Sequence, residues 1–549
     1  MSEEVQPDLA DGHRLDRIDA RWLIGLTFVA FVLRYFSPIF PDFIAHPFTQ
    51  APISNCVHST PVDTVGHTGS LCGLAYPFQR GYPTGTGVYS PPNGQVFDEI
   101  YFAVFAHDDL KGIAYFDPEP PLSKLIIAGG QLGWGWFQAT FQGAHGDYAD
   151  LGYNTFGWRI MSCIFGTLCV PMIYLLARRL WRSARLFAVA AATLVTFDGM
   201  FFIQSRIGMI DIFPIFFILC LYWLFMVHLD SRTVRRSLLT LLALGFVAGI
   251  AIASKWIALA AYASILLLFA MRVVRRHLPF SVTTEGGWTW GRGEKLEGPT
   301  IPGRVPVFDY AVIGVVAMLA LPIAIYIVSW APFFVRGQFH WASWLVDIWN
   351  YNKEAYQYHA TLTATHPYGS PWWTWPFLLR PVAYYYQGTG LGFDQFTRQP
   401  LVAGMVNLGN PWIWWTSLPC LVALPFIAIR QKNFVAALIF VGFLAQYLPW
   451  SRISRVVFLY HMFGGLPFMI LALAFVMAYL VQKGAPPALA WGHLVVAVAA
   501  FLYFIPVWTA LPIATRAYLD PPPAGKMWIQ WNCTQPARPT PSSWVPCWI

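Results

Sequence analysis

Residues 97–124 read FDEIYFAVFAHDDLKGIAYFDPEPPLSK. The stretch opens on two adjacent carboxylates, Asp98 and Glu99, and runs at once into Ile100, Tyr101 and Phe102. It closes on Pro120 and Pro121, just before Lys124. A carboxylate pair beside a membrane surface costs desolvation free energy unless it faces water or is put to use. Asp98 is therefore read as a base waiting for a hydroxyl, against the plainer reading of a solvated acidic turn.

The surrounding chain is built to dissolve in lipid. Of its 549 residues 56% are hydrophobic, 17% aromatic and only 11% charged, with a mean hydropathy of +0.49. Soluble domains carry roughly 25% charged residues, so the composition implies a polytopic membrane protein. The net charge of +8 does not point to nucleic acid, because Lys and Arg come in short clusters between apolar spans, which is the pattern of membrane orientation. Met1 to Trp22 is polar and mixed in charge and does not read as a cleavable signal.

Crossing a ~30 Å hydrocarbon layer takes about 20 apolar residues. Eleven stretches qualify: Leu23–Phe40, Thr155–Leu176, Leu186–Phe202, Ile210–His228, Ser237–Ala253, Trp256–Val273, Phe308–Ala331, Pro411–Ile429, Asn433–Pro449, Val456–Val481 and Leu489–Leu511. Basic clusters sit at Arg14, Arg17 and Arg21, at Arg178, Arg179, Arg182 and Arg185, and at Arg232, Arg235 and Arg236. Others follow at Arg272, Arg275 and Arg276, at Arg430 and Lys432, and at Lys483. With eleven spans all of them fall on one side, which the positive-inside tendency makes cytoplasmic. The expected fold is thus all-α and polytopic, N-terminus inside and C-terminus outside.

The expected organisation is a cytoplasmic tail (1–22), a first transmembrane module (23–331) with a long external loop (41–154), a second external loop rich in Trp, Tyr and His (332–410), a C-terminal module (411–512) and an external tail (513–549). Both long loops, the first and fourth external ones, are too apolar for solvated coil, which predicts interfacial helices. Leu122–Phe141 reads as re-entrant or interfacial, or as a further span that would upset the parity. Cys56, Cys72, Cys533 and Cys547 fall outside, where Cys56–Cys72 and Cys533–Cys547 are the local pairings. Cys163, Cys169, Cys220 and Cys420 read as apolar packing. The Gly-rich GGWTWGRGEKLEG at 286–298 lacks the strand-then-helix context of a phosphate loop. No metal-ligand spacing occurs, and His359 and His366 read as interfacial packing.

Arg159, Arg206, Lys255, Arg452 and Arg455 belong to no orientation cluster and lie where spans meet the outer face. Each is costly at membrane depth and needs a partner. Asp198, Asp211, Asp347 or a lipid headgroup would serve. Together they would ring an outward cavity beside Asp98 and Glu99, suited to a lipid-linked phosphate. A sugar on such a phosphate already has its leaving group, so one carboxylate base and a cationic clamp would suffice for transfer without a nucleotide.

At these residues the chain resembles the protein O-mannosyltransferase family, of the GT-C class of membrane glycosyltransferases. FDEIYF is similar to the family's Asp-Glu element, and DPEPPLSK to its Asp-x-His-Pro-Pro-Leu-x-Lys element. GWRIMSCIFGTLCVPMIYLLARRL (157–180), FDGMFFIQSRIGMIDIFPIFF (197–217), ASKWIAL (253–259), HPYGSPWWTWPFLLRPVAYYY (366–386) and SRISRVVFLYHMFGGLPF (451–468) follow in the family's order. The resemblance implies transfer of mannose from polyprenyl- or dolichyl-phosphate mannose to Ser or Thr of secreted or membrane polypeptides, with inversion, outside the cytoplasm; because the clamp is made of side-chain cations, no metal or other cofactor is expected. It implies Asp98 as base, Glu99 as its orienting partner or an acceptor contact, and Arg159, Arg206, Lys255 and Arg455 at the donor phosphate. Glu119, Pro120, Pro121 and Lys124 become candidate acceptor or donor contacts, with Glu119 standing where the family has His. The protein translocation machinery is a candidate partner. The luminal sugar-binding-like domain of eukaryotic members is missing, which gives a bacterial cast, and the segment 45–95 matches nothing in the family.

Two other readings stand beside this one. A related lipid-phosphate-sugar transferase would act on a lipid or cell-wall glycan. A transporter or non-catalytic scaffold is the other, though no internal repeat of the transporter kind is visible.

Overall fold

The computed structural model describes residues 15–35, 96–231, 233–274, 281–282, 288–289, 312–388, 391–530, 533 and 545–548. Cys56, Cys72, the segment 45–95 and several basic residues, among them Arg14, Arg232, Arg275 and Arg276, lie outside the described residues. In chain order the first helices are α1 (Arg17–Tyr35), α2 (Glu99–Lys111), α3 (Leu122–Phe141), α4 (Tyr148–Gly152), α5 (Thr155–Leu180) and α6 (Arg185–Thr196). Then come α7 (Gly199–Gln204), α8 (Ile212–Leu229), α9 (Val234–Ser254) and α10 (Ile257–Val274). α11 (Val312–Val335) precedes α12 (Trp344–Thr361), α13 (Pro411–Arg430), α14 (Phe434–Tyr447), α15 (Leu466–Gln482), α16 (Pro487–Thr509) and the short α17 (Thr515–Leu519).

Among the described residues seven helices are long and apolar enough to cross a membrane: α5, α8, α9, α11, α13, α14 taken with the tighter turn that carries it on to Arg452, and α16. The other expected stretches fall on α1, α6 with α7, α10 and α15. The expected third span is broken. α6 has 12 residues, about 18 Å at 1.5 Å per residue, and the chain turns at Asp198 before α7. Asp198 caps α7 by accepting from the Met200 and Phe201 amides, and it also accepts from the Asn410 amide and the Trp414 indole. It ties that turn to the start of α13 and has no capacity left for a distant cation. Leu122–Phe141 is a continuous helix.

At one end of the bundle the start of α1 meets the end of α5 and the start of α6. Buried Asp19 accepts from Tyr174 Oη at 2.7 Å, Arg178 at 2.8 Å and Arg185 Nε at 3.1 Å. Beside it Asp230, at the end of α8, pairs with Arg179 and Arg182, each at 2.9 Å. These arginines, read from sequence as orientation markers, also pin three helices.

The all-α expectation needs correcting to mostly helical. Val382–Gln387 (β3) pairs antiparallel with Leu401–Asn407 (β4), whose start pairs with Ile513–Ala514 (β5); a two-stranded pair, Ser281–Val282 (β1) with Trp288–Thr289 (β2), precedes them. Val382 to Tyr386 is a β-branched and aromatic run set off by Pro381, and it favours a half-buried pleated surface over a helix. Gly404 in β4 lies against Tyr518, where an added Cβ would sit 2.0 Å from the hydroxyl. Cys533 and Cys547 form a disulfide, and the Cys547 amide donates to the Leu379 carbonyl at 3.0 Å. The last described residues are thereby fastened to the aromatic loop.

Candidate active site

Phe97 has a φ of 50°, uncommon for a residue with a side chain. The strain is offset by its ring, stacked on Tyr384 at 4.3 Å and edge-on to Tyr460 at 5.9 Å. α2 starts directly after this turn, and its first two carboxylates diverge. Glu99 is fully buried. It accepts from Arg159 Nε and NH2, both at 2.7 Å, from the Val96 amide at 2.8 Å and from the Gly208 amide at 2.6 Å. Four donors on two oxygens fill the acceptor capacity of a carboxylate. Asp98 is half-buried, and among the described residues its carboxylate has no hydrogen-bond or ion-pair partner. Burial pushes its pKa up, the nearby Asp211 carboxylate pushes further, and Lys255 pulls back, leaving it at about 7.

Around Asp98 the charges come from separate segments. Lys255, in the turn from α9 to α10, bonds Asp211 at the head of α8 at 2.7 Å and faces Glu119 at 3.7 Å. Burial alone would lower the Lys255 pKa, but these two carboxylates raise it above its ordinary value. Glu119 shows the reverse balance. Burial would raise it, but Lys255, His359, Lys124 and Arg455 outweigh burial and hold it low. Lys124 is buried; its ammonium pairs with Asp117 and donates to the carbonyls of Glu119 at 2.8 Å and Pro120 at 3.1 Å. α12 braces the same loop, for Tyr351 Oη takes the Asp117 amide proton at 2.9 Å and donates back to the Asp117 carbonyl at 3.2 Å. Arg455, half-buried before α15, borders a cleft of about 160 Å³ shared with His366, Ser370, Trp372 and Ser454.

The sequence-derived set therefore divides. Asp98, Glu119, Pro120, Pro121, Lys124, Lys255 and Arg455 converge. Arg159 and Arg206 have other neighbours: Arg159 binds Glu99, next to Asp98, and Arg206 lies by Cys163, Arg159 and Arg34. The Arg159 side chain is 1% exposed and engaged by Glu99, because burying a carboxylate there requires a counter-charge. Arg206 is buried over the Phe202 ring at 4.8 Å, with Cys163, Arg159 and Arg34 as its electrostatic neighbours. Asp347 is likewise elsewhere, accepting from the His340 amide and Ser343 at the start of α12. Sequence reasoning undervalued Asp117 and Asp211, both visible inside the quoted motifs; His359, read as packing, lies edge-on to the Trp256 ring at 6.2 Å. Tyr351, 234 positions from Asp117, gave no local signal. Among the described residues no cluster of three or more His, Cys, Asp or Glu could hold a metal ion.

Residues 88–336 match the family described as dolichyl-phosphate-mannose-protein mannosyltransferase, and residues 344–520 match the C-terminal four TMM region of protein-O-mannosyltransferase. The chain belongs to the protein O-mannosyltransferase family. Like other bacterial-type members it is of the GT-C class. It is 26% identical over 486 residues to a polyprenol-phosphate-mannose–protein mannosyltransferase of Mycobacterium tuberculosis (strain ATCC 25618 / H37Rv), covering 77% of this chain and 84% of that one. It is also 26% identical over 464 residues to the protein of the same name in Corynebacterium glutamicum, covering 73% and 79%. In fold this family member is similar to a chain of the Saccharomyces cerevisiae Pmt1–Pmt2 complex bound to the sugar donor, with a TM-score of 0.64 at 14% identity over 91% of each chain.

Proposed function

We propose that this protein transfers mannose from polyprenyl-phosphate mannose to Ser or Thr hydroxyls of polypeptides, in one inverting displacement with Asp98 as base. The observation that carries the reading is the Asp98 carboxylate itself. It is half-buried, poised near neutrality and unpartnered among the described residues, in a chain of this family. As the acceptor oxygen bonds to the anomeric carbon, Asp98 takes the hydroxyl proton. The bond from that carbon to the phosphate oxygen breaks, and the lipid phosphate leaves with the electron pair. Lys255 and Arg455 meet its growing charge. A positioned base of this kind is worth roughly 10²–10⁴-fold in rate, and fixed cations act without moving a proton. Glu99 and Arg159 serve by fixing the turn that aims Asp98.

The same reading places the Asp98 end of the bundle outside the cytoplasm and the arginine-rich end inside, in keeping with the distribution of basic residues. It takes all eleven apolar stretches as crossings. α12 would lie along the outer membrane surface, its exposed Leu345, Val346 and Trp349 toward lipid. A secreted or membrane polypeptide still extended as it leaves the translocation machinery would suit as acceptor. The test is transfer in proteoliposomes from labelled polyprenyl-phosphate mannose to a Ser/Thr-rich peptide. Mannose on the peptide is the expected result; label moving only into lipid would overturn the assignment of a protein acceptor.

A further inference from the structure

Glu119 brings a negative charge to the place where a donor phosphate needs positive ones. Its backbone is fixed from several directions. Lys124 holds the Glu119 and Pro120 carbonyls, Tyr351 brackets the Asp117 amide and carbonyl two residues before it, and Pro120 and Pro121 are buried. Its side chain is less constrained. It is 17% exposed and stands 3.7 Å from Lys255 Nζ, whereas Asp211 holds the same ammonium at 2.7 Å. Lys255, His359, Lys124 and Arg455, from four separate segments, face this one carboxylate, with Asp98, Asp117 and Asp211 as the neighbouring acids. Lys255 already has a counter-charge in Asp211, so Glu119 is a surplus anion there, held by a longer and weaker contact.

We propose that Glu119 is a resident counter-anion that occupies the Lys255–Arg455 cation pair while the site is empty and yields it to the donor phosphate, thereby setting donor affinity. Glu119 is on this account a positioning residue, and the inference rests on the reading of Lys255 and Arg455 as phosphate partners. Two anions competing for one pair of cations make the entering phosphate work against the resident carboxylate, and removing that charge removes the competition.

The experiment varies polyprenyl-phosphate mannose at saturating peptide for the wild type, Glu119→Gln, Lys255→Met and the double variant, all in proteoliposomes. Binding of unreacted polyprenyl phosphate is measured alongside, which needs no turnover. Glutamine keeps the shape and leaves the backbone contacts of residue 119 in place. Glu119→Gln is expected to lower the donor KM and tighten polyprenyl phosphate about tenfold, with a smaller change in kcat and a constant peptide KM. Lys255→Met should raise the donor KM and shrink the effect of Glu119→Gln. If Lys255→Met raises the donor KM but Glu119→Gln leaves it unchanged or raises it, the counter-anion is overturned and the phosphate assignment stands. If Lys255→Met leaves the donor KM unchanged, both fall. A Glu119→Gln effect on peptide KM alone would overturn the inference and assign the residue to the acceptor.

Discussion

Two ends of one helical bundle collect charge and dispose of it in opposite ways. Where α1, α5, α6 and α8 meet, Asp19 is surrounded by Tyr174, Arg178 and Arg185, and Asp230 by Arg179 and Arg182. Those carboxylates are bound by donors, and the contacts join helices. At the Asp98 end the pairing is incomplete: Lys255 is shared between Asp211 and Glu119, and Asp98 has no partner among the described residues. The contrast recurs within a single turn, because Glu99 takes four donors and Asp98 takes none. Saturated charge fixes geometry, whereas charge left half-buried and unsatisfied has a perturbed pKa and is available for chemistry.

The sharpest way to break this comparison is to exchange the fates of the two neighbours. Asp98→Asn should cut turnover by about 10²–10⁴-fold and leave the thermal midpoint and polyprenyl phosphate binding close to wild type. Near-normal turnover would remove Asp98 from the role of base. Glu99→Gln should act through stability. It leaves Arg159 buried without its counter-charge, a loss of about 3–5 kcal/mol for a broken buried pair, read as a lower melting temperature and reduced yield of folded protein. A Glu99→Gln protein as stable as the wild type but inactive would mean that Glu99 works on substrate, and the division drawn between the two carboxylates would fail.

Sequence patterning is informative about these two residues to different degrees. Asp98 is legible from its setting: an acid at the head of an apolar run, followed by Pro120-Pro121, in a chain of long apolar stretches. The helices α5, α8, α9, α13 and α16 are legible for the same reason, since lipid demands long uninterrupted apolar runs. The pairing of Glu99 with Arg159, 60 positions away, is not legible, because long-range partners leave no periodic trace. Arg159 therefore looks like a cation waiting for phosphate. The strand pair Val382–Gln387 and Leu401–Asn407 was hidden by aromatic residues that suit an interfacial helix or a half-buried strand equally well. Only contact with β5 and Tyr518 decides between them.

Acidity sharpens the comparison further. Burial and the Asp211 charge raise Asp98 to about 7, against the pull of Lys255, and the base must be ionised to accept a proton. Measured as kcat/KM for peptide from about pH 5.5 to about 8, activity should rise about tenfold per unit at the acid end and level off above about 7. Lys255→Met removes the neighbour that lowers the Asp98 pKa, so the midpoint should move to higher pH. Asp211→Asn removes a neighbour that raises it and should move the midpoint down. A profile flat across this range would exclude Asp98 as the titrating base.

The smallest effect is expected at the opposite end. Asp230→Asn deprives Arg179 and Arg182 of a shared carboxylate, as Glu99→Gln deprives Arg159, yet the consequences should differ. The Arg179 and Arg182 side chains are 11% and 13% exposed, and they lie in the last turn of α5 and in the turn just after it, where long side chains can extend toward water and headgroups. Arg159 is sealed beneath α2 and has no such escape. The cost should therefore be smaller than that of Glu99→Gln, about 1–3 kcal/mol for part-buried donors left short of a partner, seen as a modest drop in melting temperature with donor KM, peptide KM and the pH midpoint all unchanged. A loss as large as that of Glu99→Gln would show that the arginine-rich end is as closed as the Asp98 turn. A shift in the pH midpoint would show that the two ends are electrostatically coupled through the bundle, and the separation between structural charge and reactive charge could no longer be drawn along its length.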